Sequence, residues 1–156
     1  MNGRYDRDLQ RGLEFQDHVS DLFAKIGFPL SCYSSIKRQK ESGENFQGIE
    51  IKFDNRWRET GNLFIEYRER SGPESEWHDS GVLGKESMWG FVIGDYEGCF
   101  FFSLRLLQLM LKSKKYETRV TETAEGFLLP YADAEKYACF FLPSPITVPF
   151  SQRNII

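Results

Sequence analysis

The sequence predicts an α/β or α+β domain in which helices flank a mixed central sheet. Apolar residues first recur at helical spacing over residues 9–26. Two segments then alternate apolar and polar residues, at 47–54 and 62–68. A strand hairpin and a second apolar helix follow.

Taken in order, Phe15, Val19, Leu22, Phe23 and Ile26 mark one face of the first helix. Asp6 or Asp8 suits its start, and Gly27 with Pro29 ends it. Residues 30–37 have the composition of a first strand, with poor alternation, and residues 37–43 form a polar, mostly basic loop. In the first alternating segment Ile49, Ile51 and Phe53 face one way, and Glu50, Lys52 and Asp54 the other. In the second, Leu63, Ile65 and Tyr67 share a face opposite Phe64, Glu66 and Arg68. The two strands are expected side by side.

Residues 70–84 carry Gly, Pro and Ser punctuation and read as a loop. Strands over 89–93 and 99–102 form a hairpin through the turn at 94–98. Ser103 caps a helix carrying Leu104, Leu107, Met110 and Leu111, with Lys112, Lys114 and Lys115 at its C-terminal end. Residues 117–123 suit a strand. Residues 126–130 lead into a short helix near 132–138, and 138–142 into a last strand. A tail from about residue 143 carries Pro143, Pro145 and Pro149.

At 156 residues, the length fits one domain, residues 1–156. Aromatics at 15%, dominated by 14 Phe, argue for a packed core rather than disorder. The net charge of −3 argues against a non-specific nucleic-acid binder, which is usually basic. Cys32, Cys99 and Cys139 are odd in number and widely spaced, so the reducing cytoplasm is the expected compartment. No segment has the length and apolarity of a membrane span. There is no phosphate-cradling Gly loop, dinucleotide fingerprint or nucleophile elbow. His18 and His78 have no partner at metal-ligand spacing.

Glu50, Asp54 and Glu66 are the carboxylates these strands would gather, and Lys52, Arg68 and Arg70 the cations. Such a group can hold a hard divalent cation and stabilise charge on a phosphate. The same alternation also suits a solvated sheet face with cross-strand ion pairs. Lys37, Arg38 and Lys40, with Arg56, Trp57 and Arg58, mix basic and aromatic character suited to phosphate contact and base stacking, or to two solvated loops.

Over residues 9–113 the chain resembles the PD-(D/E)xK nuclease superfamily, of restriction-endonuclease-like fold. The likeness rests on a leading helix with Glu14, the acid in Gly48-Ile49-Glu50, and Glu66-Tyr67-Arg68 on the next strand. It implies catalytic roles for Glu50, Glu66, Lys52 and Arg68. It also implies Mg²⁺ (or Mn²⁺) held by Glu50, Glu66 and Glu14, and the strand pattern adds Asp54 as a further ligand. It further implies DNA as substrate, a phage or bacterial setting, and a chain compatible with a homodimer. The chain departs from the pattern in carrying Glu at 50 and Arg at 68, where Asp and Lys are usual. Arginine stays protonated, so Lys52 is the alternative source of the lysine. Glu50-Ile51-Lys52 is itself an acid-x-Lys triplet, in a second registration with Glu44 upstream. A catalytically inactive relative that binds nucleic acid or a protein, and a viral assembly protein, are the competing expectations.

Overall fold

A computed structural model describes residues 3–31, 47–84 and 86–145. The α+β class holds, and the strands divide between two four-stranded sheets. Strands β1 (Ile49–Phe53), β4 (Gly90–Asp95), β5 (Gly98–Ser103) and β8 (Phe140–Pro143) form the first sheet in the order β1-β4-β5-β8. It is mixed, because β1 runs parallel to β4 while the other pairs are antiparallel. The second sheet is antiparallel, in the order β3-β2-β7-β6. Its strands are β2 (Asn62–Glu69), β3 (His78–Asp79), β6 (Thr118–Val120) and β7 (Ala124–Pro130). The expected side-by-side pairing of β1 with β2 is therefore corrected. Alternation told which face each residue takes, but carried no information on which strand lies alongside.

Helix α1 (Gly3–Lys25) starts earlier than its apolar stripe suggested, so Asp6 and Asp8 lie inside it rather than at its cap. Arg7, Gln10 and Arg11 are exposed there, which is why they carry no apolar period. The other end is closed by Phe28 N–H donating to Phe23 O and Gly27 N–H to Ala24 O. These are the paired bonds of a Schellman cap, and the Phe23 and Phe28 rings meet at 5.9 Å. Leu30 and Ser31 are not in a strand. The Gln47 side chain holds that stretch by accepting from Ser31 N–H and donating to Pro29 O.

The central strands of the first sheet are buried on both faces, which explains the near-continuous apolar runs of β4 and β5. Phe15, Val19, Leu22 and Phe23 of α1 pack on Ile49, Ile51, Val92 and Phe101. Across the sheet, Phe91, Ile93, Phe100 and Phe102 pack on Leu63, Ile65, Phe127 and Leu129 of the second sheet. This second core is completed by helices α3 (Leu104–Ser113) and α4 (Tyr131–Tyr137), through Leu107, Met110 and Ala134. Each fully buried Phe or Leu here stabilises the fold by about 1.5–3 kcal/mol. Ser103 occupies the N-cap of α3 but its side chain makes no capping bond. The loop expected over residues 70–84 contains β3 and a 3-10 turn, Gly81–Leu83. Residues 126–130, read as a lead into a helix, belong to β7, the inner partner of β2.

One short helix, α2 (Trp57–Thr60), corrects a sequence expectation. Trp57 is buried among Phe100 at 5.5 Å and Tyr131 at 5.6 Å, the latter ring parallel to it. The side chain is core, not a platform for a nucleic-acid base. Its basic flanks misled because Arg58 covers the ring from outside, 4.1 Å from its centroid, while pairing with Asp95 at 2.9 Å.

His18 sits against Phe15 and Tyr96, with Nε2 buried and unbonded among the described residues. Burial is the main cause that lowers its pKa below 6.5; Lys25 adds to this, and Asp21 and Asp95 oppose it. The unfolded chain therefore takes up a proton that the native state resists. Stability from this group is full above pH 6.5 and is lost as pH falls through the native value. We expect the Tm of the wild type to drop more steeply below pH 6.5 than that of His18→Gln. Parallel curves would refute a lowered imidazole pKa at this half-buried position.

Candidate functional site

The site lies at the seam where β1, an edge strand of the first sheet, meets β2 of the second. Glu50 and Lys52 are two residues apart on β1 and so share a face. Their parallel partners Phe91 and Ile93 belong to the core between the sheets. Both polar side chains thus emerge at the rim of that core. Glu66 reaches the same point from β2. The Lys52 Nζ lies 3.2 Å from Glu50 Oε1 and 3.1 Å from Glu66 Oε1. All three side chains are less than one-third exposed, so solvent screens these charges only in part.

Ser80 completes the group by donating from Oγ to Glu66 Oε1 at 2.7 Å. Gly81 explains how it comes so close. A Cβ at Gly81 would stand 2.2 Å from Glu66 O, and the residue holds φ +50°. Val82, next in the chain, is fully buried and anchors the turn. The sequence pattern reads residues 70–84 as a loop and does not single out Ser80. The adjacent Ser-Gly pair was the available signal.

Asp54 has a different task. Its Oδ1 accepts from Arg56 N–H at 2.9 Å and its Oδ2 from Phe64 N–H at 3.0 Å. It ties the end of β1 to the backbone of β2, which fixes Glu50 and Glu66 relative to each other. Glu14 is exposed on α1, where Gln10 donates to it at 3.1 Å. It lies near Tyr96 in the β4–β5 turn, and its charge adds to burial in raising the Tyr96 pKa.

Arg68 is not on the face of Glu66, which corrects the expected alternation. Glu66 pairs with Gly126, and Arg68 with Glu125, one step along β7. Paired residues point to the same side, so a bulge at Tyr67 turns Arg68 away. Its Nη2 lies 2.8 Å from Glu125 Oε2, and the Tyr67 hydroxyl donates to Glu125 Oε1 at 2.7 Å. Burial, then that bond, pushes the Tyr67 pKa up to about 12. Arg70 is also engaged elsewhere, donating to Glu122 O and Pro73 O. We expect Arg68→Ala to cost about 1 kcal/mol, as for a partly exposed pair. A cost several times larger would overturn the face assignment.

Beside the ion cluster opens a cleft of about 390 Å³. Lys52, Asp54, Asn55 and Arg56, from β1 and the segment after it, line it together with Phe64, Glu66, Arg119 and Leu128 of the second sheet. Of the basic residues expected to meet nucleic acid, Arg56 borders this cleft, and Arg58 is paired to Asp95 and Glu97. Lys37, Arg38 and Lys40, and Glu44 of the second registration, lie outside the described residues. Arg119 was not foreseen. It lies on a three-residue strand whose exposed residues show no burial alternation.

Fold and site together define a two-sheet α+β domain with an acid–lysine–acid cluster at the seam. Comparison with protein-family models, with curated proteins and with solved structures finds no match. No helix among the described residues is long and apolar enough to cross a membrane.

Proposed function

We propose that the protein is a metal-dependent nuclease that hydrolyses DNA phosphodiester bonds at this seam. One observation carries the reading: two carboxylates on different sheets converge on a single ammonium, beside a cleft with further cations. The donor set fits Mg²⁺ or Mn²⁺, because it consists of hard carboxylate oxygens that already surround one positive charge. Glu50 and Glu66 would hold the ion. When bound, it supplies charge neutralisation at the phosphate and an activated water. Lys52 also lines the cleft and would set its ammonium against a non-bridging phosphate oxygen, where charge grows in the transition state. Asp54 keeps both carboxylates in place through its two backbone bonds. Ser80 orients the Glu66 carboxylate, as outer partners of metal ligands do.

A specific observation favours a second reading, a nuclease-like fold that binds nucleic acid or a protein without cutting. Arg68 is turned away and both Asp54 oxygens are engaged, which leaves Glu50 and Glu66 as the acids of the cluster. Linear, single-stranded and branched DNA incubated with Mg²⁺ or Mn²⁺ separates the two. Cleavage by the wild type and not by Glu66→Gln supports the nuclease. Absence of cleavage, with no Mn²⁺-dependent rise in Tm, supports the second reading.

A further inference from the structure

The second sheet carries a built wall behind the ion cluster. Glu66 and Arg119 both stand opposite Gly126, from the strands on either side of it. Paired residues share a face, so a carboxylate and a guanidinium flank a position with no side chain. The Phe64 ring fills that gap: a Cβ at Gly126 would fall 2.7 Å from Phe64 Cζ. Phe64 is itself only half-buried and lines the cleft. Arg119 is exposed, and no carboxylate pairs with it among the described residues. Asn55, Thr60, Asn62 and Thr121 also line the cleft, where the Thr60, Asn62 and Thr121 side chains are tied to nearby backbone groups.

We propose that this cleft takes one unpaired nucleotide of a single strand. Its phosphate lies against Arg119 and Lys52, and its base against the Phe64 ring. The inference rests on the nuclease reading and names the substrate form for the same site. Size and chemistry both point this way. A volume of about 390 Å³ lies at the lower end of pockets that enclose small ligands. It suits one nucleotide unit. A base still paired in a duplex would have to be unstacked and extruded to enter. An aromatic ring beside cations is the recurring means of holding single strands, because every base has a π-face. The overall charge of −3 works against broad attraction to duplex, so the local cations must act at short range.

The test is fluorescence anisotropy with a short single-stranded oligonucleotide, its blunt duplex and its abasic counterpart, in EDTA and over a salt series. The single strand should bind about tenfold tighter than either of the others, the scale of stacking one base. Arg119→Ala should weaken single-strand binding about tenfold and reduce the salt slope by about 0.7, with Tm unchanged. Phe64→Leu should weaken the single strand and leave the abasic oligonucleotide unaffected. Equal affinity for duplex or abasic DNA, no binding at all, or an Arg119→Ala variant that binds like wild type overturns the proposal. Cleavage is scored separately with Mg²⁺. Strand preference without cleavage retires the hydrolytic reading alone, while cleavage without strand preference retires the unpaired-nucleotide occupant alone.

Discussion

If the protein is the nuclease proposed, Glu66→Gln is expected to abolish DNA cleavage while moving Tm by no more than a few degrees. The substitution removes one negative charge and almost no volume. Glutamine's carbonyl can still accept from Ser80 Oγ and from Lys52 Nζ, so both hydrogen bonds at this position survive. Lys52 also keeps Glu50 at 3.2 Å, and no charge is left buried without a partner. A cation held between two carboxylates would lose half its anionic ligands. Loss of an outer partner of a metal ligand costs roughly 10- to 100-fold, so loss of the ligand itself should exceed about 100-fold in rate. The measurement is initial cleavage rate beside a thermal melt. Retained activity would remove Glu66 from the chemistry, and a collapse of Tm would make the cluster structural.

The second large effect is expected at Gly81→Ala. An L-residue at φ +50° costs about 1–2 kcal/mol. The new Cβ would also stand 2.2 Å from the backbone oxygen of Glu66, which cannot swing aside as a side-chain tip could. Overpacking of that kind costs about 1–3 kcal/mol. Together they amount to about 3 kcal/mol, or on the order of 10 °C in Tm for a chain of this length. The clash pushes Ser80 away from Glu66, so activity measured well below the new Tm should fall as well. Ser80→Ala isolates that part, because it removes the hydroxyl without the clash. If Gly81→Ala melts like the wild type, the close passage of this turn over β2 is wrong.

Much of the fold was legible because burial imposes a period. Phe15, Val19, Leu22 and Phe23 are all buried on α1, as their spacing required. Leu63 and Ile65 are fully buried while Phe64 and Glu66 are not, as alternation required. Gly94 and Gly98 border the hairpin turn, and Asp95 stabilises it by accepting from Glu97 and Gly98 N–H groups. The convergence of Glu50, Lys52 and Glu66 was also anticipated, though through the wrong arrangement. Sequence patterns state which side of a strand a residue takes, and nothing in them names the neighbouring strand. The bulge at Tyr67 was hidden for a related reason. One extra residue on one strand is defined only against its partner, and β7 had not been recognised. Trp57 was misjudged because Arg56 and Arg58 flank it, and a core residue on a one-turn helix has too few neighbours to show a period.

The seam has a consequence for how such a site changes over time. Adjacent strands in one sheet stand about 4.8 Å apart, and backbone bonding holds that spacing rigidly. Carboxylates on neighbouring strands would inherit a nearly invariant gap. Here Glu50 and Glu66 belong to separate ladders, joined by apolar packing and by the Asp54 bond to Phe64. Their separation is an adjustable dimension rather than a lattice constant. Volume changes at Ile65 or Ile93, beneath the seam, can widen or narrow it while every ladder hydrogen bond stays intact. Selection can therefore tune the spacing of the two carboxylates by repacking alone, without first paying to redesign a sheet.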